Sequence, residues 1–238
     1  LTPHPVVEVF NGLLDLVYPP RCLVCDTFGE DCLCRSCRRQ IERIAKPACP
    51  RCGHTLVREV CGNCADRVRS FTSARAAGQY DGALREAIQE FKYNGRRMLA
   101  RPLGDLMYEY LEKDADFPWR KADCIIPVPI HPIRQRYRGY NQSELLARRL
   151  SELTGLPVVS DLLVRRRWTK PQVYCFREDR RRNLEKAFRV RNLVPICGRT
   201  VLLVDDVATT CSTIHEASVA LRRAGVERIY ALCLAFGG

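Results

Sequence analysis

The sequence predicts an α/β protein, a mostly parallel sheet flanked by helices, with a small cysteine-rich module in front of it. Three observations predict it. Four C-x2-C pairs are confined to the first 64 of 238 residues. Beyond them, strand-like and helix-like apolar segments alternate, the pattern of strand-helix-strand units. Late in the chain, the VLLV of residues 201–204 is an aliphatic run without alternation, as a strand buried on both faces requires. It ends in the adjacent acids Asp205 and Asp206.

Residues 1–18 open the chain with apolar side chains at Val6, Val9, Phe10, Leu13, Leu14 and Val17. That stripe predicts an amphipathic helix that docks on the protein itself. The segment has neither a basic n-region nor a small-residue cleavage site, and no apolar run reaches the roughly 18 residues of a membrane helix. A cytoplasmic protein without membrane insertion is expected.

Residues 19–66 hold the pairs Cys22/Cys25, Cys34/Cys37, Cys49/Cys52 and Cys61/Cys64. Eight residues separate the first pair from the second and the third from the fourth, so the unit repeats at an offset of 27 positions. A C-x2-C turn points two thiolates at one tetrahedral ion, and two four-cysteine zinc sites are expected. With sulfur in all four positions such sites are closed and structural, at roughly 10–16 kcal/mol of apparent binding per ion. Cross-bracing of the first pair with the third stays open, and so does redox exchange, although no thioredoxin-like βαβ pattern surrounds the pairs. Cys32, His54, Cys124, Cys175, Cys197, Cys211 and Cys233 read as packing residues or spare thiols.

Residues 70–238 form the second domain. Strands are expected near 73–80, 124–128, 162–164, 200–205 and 228–234. Helices are expected near 84–93, 98–113 and 142–153, with a closing helix over 214–224 stopped by Gly225. Three polar clusters sit at strand ends or in loops. IIPVPIHPIRQRYRGYNQS has turns fixed by Pro127, Pro129 and Pro132, and then Arg134, Arg136, Arg138, Asn141 and Gln142. RRRWTKPQVYCFREDRRRNLEKAF is too long and polar for an ordinary connection and predicts a functional loop. VLLVDDVATTCST joins a strand end, a hydroxyl-rich turn and a helix start, which together make an anion cradle.

The net charge of +12 is concentrated, because residues 165–191 carry 11 Lys/Arg against 3 Asp/Glu. This block suits phosphate-rich partners. Its Arg165, Arg166, Arg167, Lys170, Arg180, Arg181 and Arg182 are the candidate nucleic-acid residues, with Trp168, Tyr174, Phe176 and Tyr137 available to stack on bases. Residues 1–64 carry 8 Lys/Arg and 7 Asp/Glu, and eight thiolates with two zinc ions would add −4. The ribbon then becomes mildly acidic, so any nucleic-acid contact is better sought in the second domain, with Arg35, Arg38 and Arg39 still able to touch phosphate.

These stretches carry a resemblance. VLLVDDVATTCST is similar to the 5-phosphoribosyl 1-diphosphate (PRPP) motif of type I phosphoribosyltransferases. The succession of zinc ribbon, FKYNGRR, PVPIHPIRQRYRGYNQS, the TKPQ to RRNLEKAF segment and VDDVATT resembles the ComF family over essentially the whole chain from Arg21. The resemblance implies a type I phosphoribosyltransferase-like domain in which Asp205 and Asp206 hold the ribose hydroxyls, directly or through magnesium. Ala208, Thr209, Thr210, Cys211, Ser212 and Thr213 would wrap the 5-phosphate, and Lys92 would reach the same ligand.

If the domain is catalytic, the resemblance implies displacement of pyrophosphate, with Asp205, Asp206, Arg134, Arg136, Arg138 and Lys92 as candidates and the loop 170–183 closing over the site. It also implies a role in DNA uptake and transformation, with PRPP or a related sugar phosphate, single-stranded DNA and other DNA-uptake or recombination proteins as partners. The alternative is a PRPP-dependent transferase of nucleotide or small-molecule metabolism with no DNA role. Two departures matter. Cys211 stands where these transferases usually have Gly, at a position that favours positive φ. Thr209 stands where purine-salvage members have Asp, which disfavours that base chemistry. Receiver domains also read VLLVDD, but at their first strand, and here only 32 residues follow Asp206.

Overall fold

The computed structural model describes residues 21–29, 31–56, 58–65, 68–165, 187–191 and 196–237. The helix expected over 1–18 lies outside these residues. In chain order the described elements are α1 (Arg35–Arg39), β1 (Ser73–Gln79), α2 (Gly82–Tyr93), α3 (Ala100–Lys113), β2 (Cys124–Pro127), α4 (Pro132–Arg138), α5 (Gln142–Thr154), β3 (Leu163–Arg165), β4 (Phe188–Val190), β5 (Thr200–Ala208), α6 (Ser212–Arg223) and β6 (Arg228–Phe236).

Four strands form one parallel sheet in the order β1, β6, β5, β2. The unbroken apolar run of β5 is explained by its place between two neighbours, with a helical layer on each face. Leu202 and Val204 pack with Leu84, Ile88, Leu103 and Leu146 of α2, α3 and α5. Val201 and Leu203 pack with Ile214, Ala217 and Leu221 of α6. Each such side chain taken fully from water contributes about 1.5–3 kcal/mol. All four strands run the same way, so their carboxyl ends share one edge, and Asp205 and Asp206 lie there.

The structure adds short elements that the sequence pattern does not show. Residues 127–139 read as a proline-fixed turn, yet Pro132 starts α4, the His131 ring nitrogen accepts from the Ile133 N–H at 3.3 Å, and Gly139 closes the helix at φ 76°. β4 pairs antiparallel with β3, Leu163 opposite Val190.

The cysteine module is built onto the sheet. β1 is an edge strand, and residues 42–51 cover its open side. Gln79 N–H donates to the Glu42 carbonyl at 2.9 Å and Ala74 N–H to the Arg51 carbonyl at 2.7 Å. Arg43 Nη1 reaches the Ala77 carbonyl at 3.0 Å and Arg75 Nη1 the Pro50 carbonyl at 2.9 Å. An edge whose ladder groups are answered this way offers nothing to a foreign strand. The approach is close enough that a Cβ on Gly78 would lie 2.9 Å from the Glu42 carbonyl oxygen.

Candidate functional site

The edge near the end of β5 gathers charged residues from four elements and a hydroxyl from a fifth. Asp205 and Asp206 are both buried. The Ser143 hydroxyl of α5 donates to Asp205 Oδ1 at 3.0 Å, and the Asp206 N–H donates to the same oxygen at 2.9 Å. Lys92, in the last turn of α2, sets its Nζ 2.9 Å from Asp206 Oδ1. Burial, and then the neighbouring Asp206 charge, pushes the Asp205 carboxyl above the usual carboxylate range. Arg165 of β3 is buried next to the Phe188 ring, and burial followed by the charge of Arg134 brings its guanidinium down to about 10, against the pull of Asp205. Arg134 of α4 is lowered by burial and by Arg138, with Tyr93 and Asp206 opposing. These cations have given up much of their hydration, which suits them to an anionic ligand.

Beyond the acids, the chain turns through Thr209, Thr210 and Cys211 into α6. Thr210 and Ser212 bring their hydroxyl oxygens within 2.7 Å of each other. Among the described residues, no carbonyl or side chain accepts from the amides of Thr209, Thr210 and Cys211. Donors left open at the start of a 12-residue helix are what a phosphate requires. Cys211 takes φ 54° and ψ 20°, so this residue adopts the left-handed conformation that glycine takes more easily, at a cost of about 1–2 kcal/mol. Its side chain is buried, and burial pushes the thiol up to about 12, so the sulfur is a neutral packing group.

The metal-ligand sets are sequential and not cross-braced. Cys22, Cys25, Cys34 and Cys37 form one group and Cys49, Cys52, Cys61 and Cys64 the other, with the ligand atoms of each within 4.8 Å of one another. The Sγ atoms of Cys22 and Cys37 are 3.8 Å apart, those of Cys25 and Cys34 3.7 Å, and those of Cys52 and Cys61 3.5 Å. A tetrahedron with Zn–S bonds of about 2.3 Å places its sulfurs about 3.8 Å apart, whereas a disulfide needs about 2.05 Å. Cys34 N–H and Cys37 N–H point at Cys22 Sγ and Cys34 Sγ, both at 3.4 Å, which supports thiolate charge. The donors fit structural zinc.

The second group abuts the hydroxyl turn. His54 stacks on Phe236 at 4.3 Å between ring centroids, and burial holds its imidazole below the ordinary value while the backbones of Cys52 and Thr209 pull it up. Arg69 donates to the Asn63 carbonyl at 2.5 Å, and its charge, with those of Cys64 and Cys61, acts on Cys211. Ser70 N–H donates to His215 Nδ1 of α6 at 3.2 Å, and Arg222 of α6 donates to the Ser70 carbonyl at 3.1 Å.

Lys92, Arg134, Asp205, Asp206 and the turn from Ala208 to Thr213 therefore share one edge, while Arg138 turns to the Tyr93 ring and to Gln142 Oε1 at 3.1 Å. Arg165, a nucleic-acid candidate in the sequence, is buried and feels the charges of Arg134 and Asp205. Arg166, Arg167, Lys170, Arg180, Arg181 and Arg182 lie outside the described residues, as do Trp168, Tyr174 and Phe176. Sequence reasoning assigns no role to Ser143 or Arg69, and reads His54 only as a packing residue, which its stacking on Phe236 matches. Only their types, a hydroxyl after a helix start and a cation shortly after the last cysteine pair, could have marked Ser143 and Arg69.

Residues 13–66 match the family model described as a double zinc ribbon domain. The chain is 36% identical to competence protein F of Haemophilus influenzae over 219 residues, which is 88% of this chain and 93% of that protein. It is 32% identical to the DNA utilization protein YhgH of Escherichia coli O157:H7 over 225 residues, 92% of this chain and 98% of that one. A solved glutamine PRPP amidotransferase from B. subtilis, complexed with ADP and GMP, is 18% identical with a TM-score of 0.42. That likeness takes in 61% of this chain and only 30% of the amidotransferase chain. Among the described residues, no helix is long and apolar enough to cross a membrane.

Proposed function

The chain belongs to the ComF family, with competence protein F and YhgH, and from that membership we propose that it serves DNA uptake by binding single-stranded DNA and PRPP with magnesium. The observation that carries the ligand half of this reading is the corner itself: two buried carboxylates close to the carboxyl end of β5, which runs on through Val207 and Ala208 into a hydroxyl turn with open amides. Ribose hydroxyls want carboxylate acceptors, and a 5-phosphate wants N–H donors at a helix start. Lys92, Arg134 and Arg165 supply positive charge for a diphosphate. Magnesium coordinates hard oxygens, and Asp205 and Asp206 are the residues that would hold it, with the metal neutralising diphosphate charge when the ligand is bound.

The DNA half of the reading rests on the relatives, whose names tie them to competence and DNA utilization, and on the +8 block over 165–191. Titration calorimetry with PRPP, with and without magnesium, tests the first half. Magnesium-dependent heat that is absent in the double variant Asp205→Ala/Asp206→Ala is expected, and no heat with wild type would remove the reading. For the second half, anisotropy of a labelled single strand should show affinity falling steeply with salt. A flat salt response would count against it.

A further inference from the structure

We propose that the surface formed by α4 and the turn 93–98 is where a single strand lies, its bases stacking on Tyr93 and Tyr137 and its phosphates meeting Arg96 and Arg136. This rests on the single-strand reading above and gives it a location. α4 contributes no buried residue, so it is a helix that packs nothing into the core. Its two large apolar side chains, Ile133 and Tyr137, are four apart on one face and both exposed, Tyr137 at 86%. Tyr93 at 62% and Met98 are exposed on the neighbouring turn.

The two segments form one surface. Arg138 lies 4.9 Å over the Tyr93 ring, Arg97 donates to the Gly139 carbonyl at 2.8 Å and covers the Tyr140 ring at 4.8 Å, and the Tyr140 hydroxyl donates to the Phe91 carbonyl. A ring already held by a guanidinium loses little freedom when a base stacks on it.

Charge selects the partner. Between Glu90 and Asp105 the chain carries Lys92, Arg96, Arg97 and Arg101 without an acid, with Glu90 itself 3.8 Å from the exposed Arg96, and between Asp123 and Glu144 it carries Arg134, Arg136 and Arg138 without an acid. Exposed tyrosines interleaved with arginines match the alternation of base faces and phosphates in an unpaired strand, whereas a duplex keeps its base faces covered. Tyr93 follows Lys92, the partner of Asp206, so this face borders the sugar-phosphate corner.

The test is fluorescence anisotropy of a labelled oligothymidylate of about 20 nucleotides, a length that spans one to several sites of about 4–16 nucleotides, with the full chain. Tyr137→Ala and Tyr93→Ala should each weaken binding about tenfold, while Tyr137→Phe and Tyr93→Phe retain it. Arg136→Ala should flatten the salt dependence by about 0.7 in slope. Tyr137 is mostly solvent-exposed, so its replacement leaves the fold intact, and circular dichroism checks Tyr93→Ala. If wild type binds the strand and both alanine variants bind it equally well, this face is overturned while single-strand binding stands and moves to the 165–191 block. If wild type binds no strand, the functional reading fails together with the face.

Discussion

The two halves of the ribbon share one C-x2-C-x8-C-x2-C spacing but support different parts of the protein. The first half joins the helical layer, with Cys22 and Cys37 packed in its core, Arg38 paired with Glu109 of α3 at 2.5 Å, and Cys32 Sγ 3.7 Å from the Met98 carbonyl. The second half packs in the other core with Phe71, Ile214 and Phe236, and it touches the hydroxyl turn through His54 and the surroundings of Cys211. A duplicated metal motif has thus been divided between the two faces of one sheet. The second four-cysteine group lies behind the proposed phosphate loop and the first behind the turn that carries Met98.

The largest effect should follow from Cys52→Ser. Bound zinc should fall from two ions per chain to one by elemental analysis, that half should lose stabilisation on the scale of roughly 10 kcal/mol, and PRPP binding should disappear with it. Cys34→Ser should also leave one ion and lower the melting temperature, but PRPP affinity should stay within about threefold, a change of less than 1 kcal/mol. Equal loss of PRPP binding in both variants would break the comparison.

A smaller effect isolates the contact of the second half with the sheet. Gly53 has φ 74°, and a Cβ there would lie 2.5 Å from the Ala74 carbonyl oxygen. Gly53→Ala should cost roughly 1–3 kcal/mol in urea unfolding with both metals retained. An unchanged midpoint would show that this approach is not tight.

The smallest effect is the pH response of the corner. The Asp205 carboxyl is raised in the folded chain, so the native state holds its proton more tightly than the unfolded state. Its contribution is fully favourable below the unfolded carboxylate range and is lost as pH rises through the folded value. Wild type should therefore lose stability relative to Asp205→Asn between about pH 4 and about pH 7, measured as urea midpoints. A parallel response of the two proteins would contradict the burial argument.

Much of this was legible in the sequence for physical reasons that differ by region. The thiol pairs follow from spacing because two thiols on one tight turn must serve one ion, whereas which two pairs share an ion stays open in the sequence and is decided by the fold, which brings neighbouring pairs together. β5 follows from an apolar run too uniform for a half-exposed strand, and its acids had to fall at an edge. α4 was illegible because a seven-residue helix with no buried face leaves no periodic apolar signal, and its prolines suggest only a turn. The ribbon's cover of β1 was illegible too, since it runs through the main-chain carbonyls of Glu42 and Arg51, which have no sequence signature. Ser143 donates to an acid 62 positions away, a pairing that only the fold creates.

Hydrogen-deuterium exchange with and without PRPP and magnesium tests the central claim most directly, because it asks where the ligand sits. Protection confined to peptides covering 205–214, with lesser change around Lys92, is the predicted result. Protection elsewhere with none at 205–214 would contradict the account.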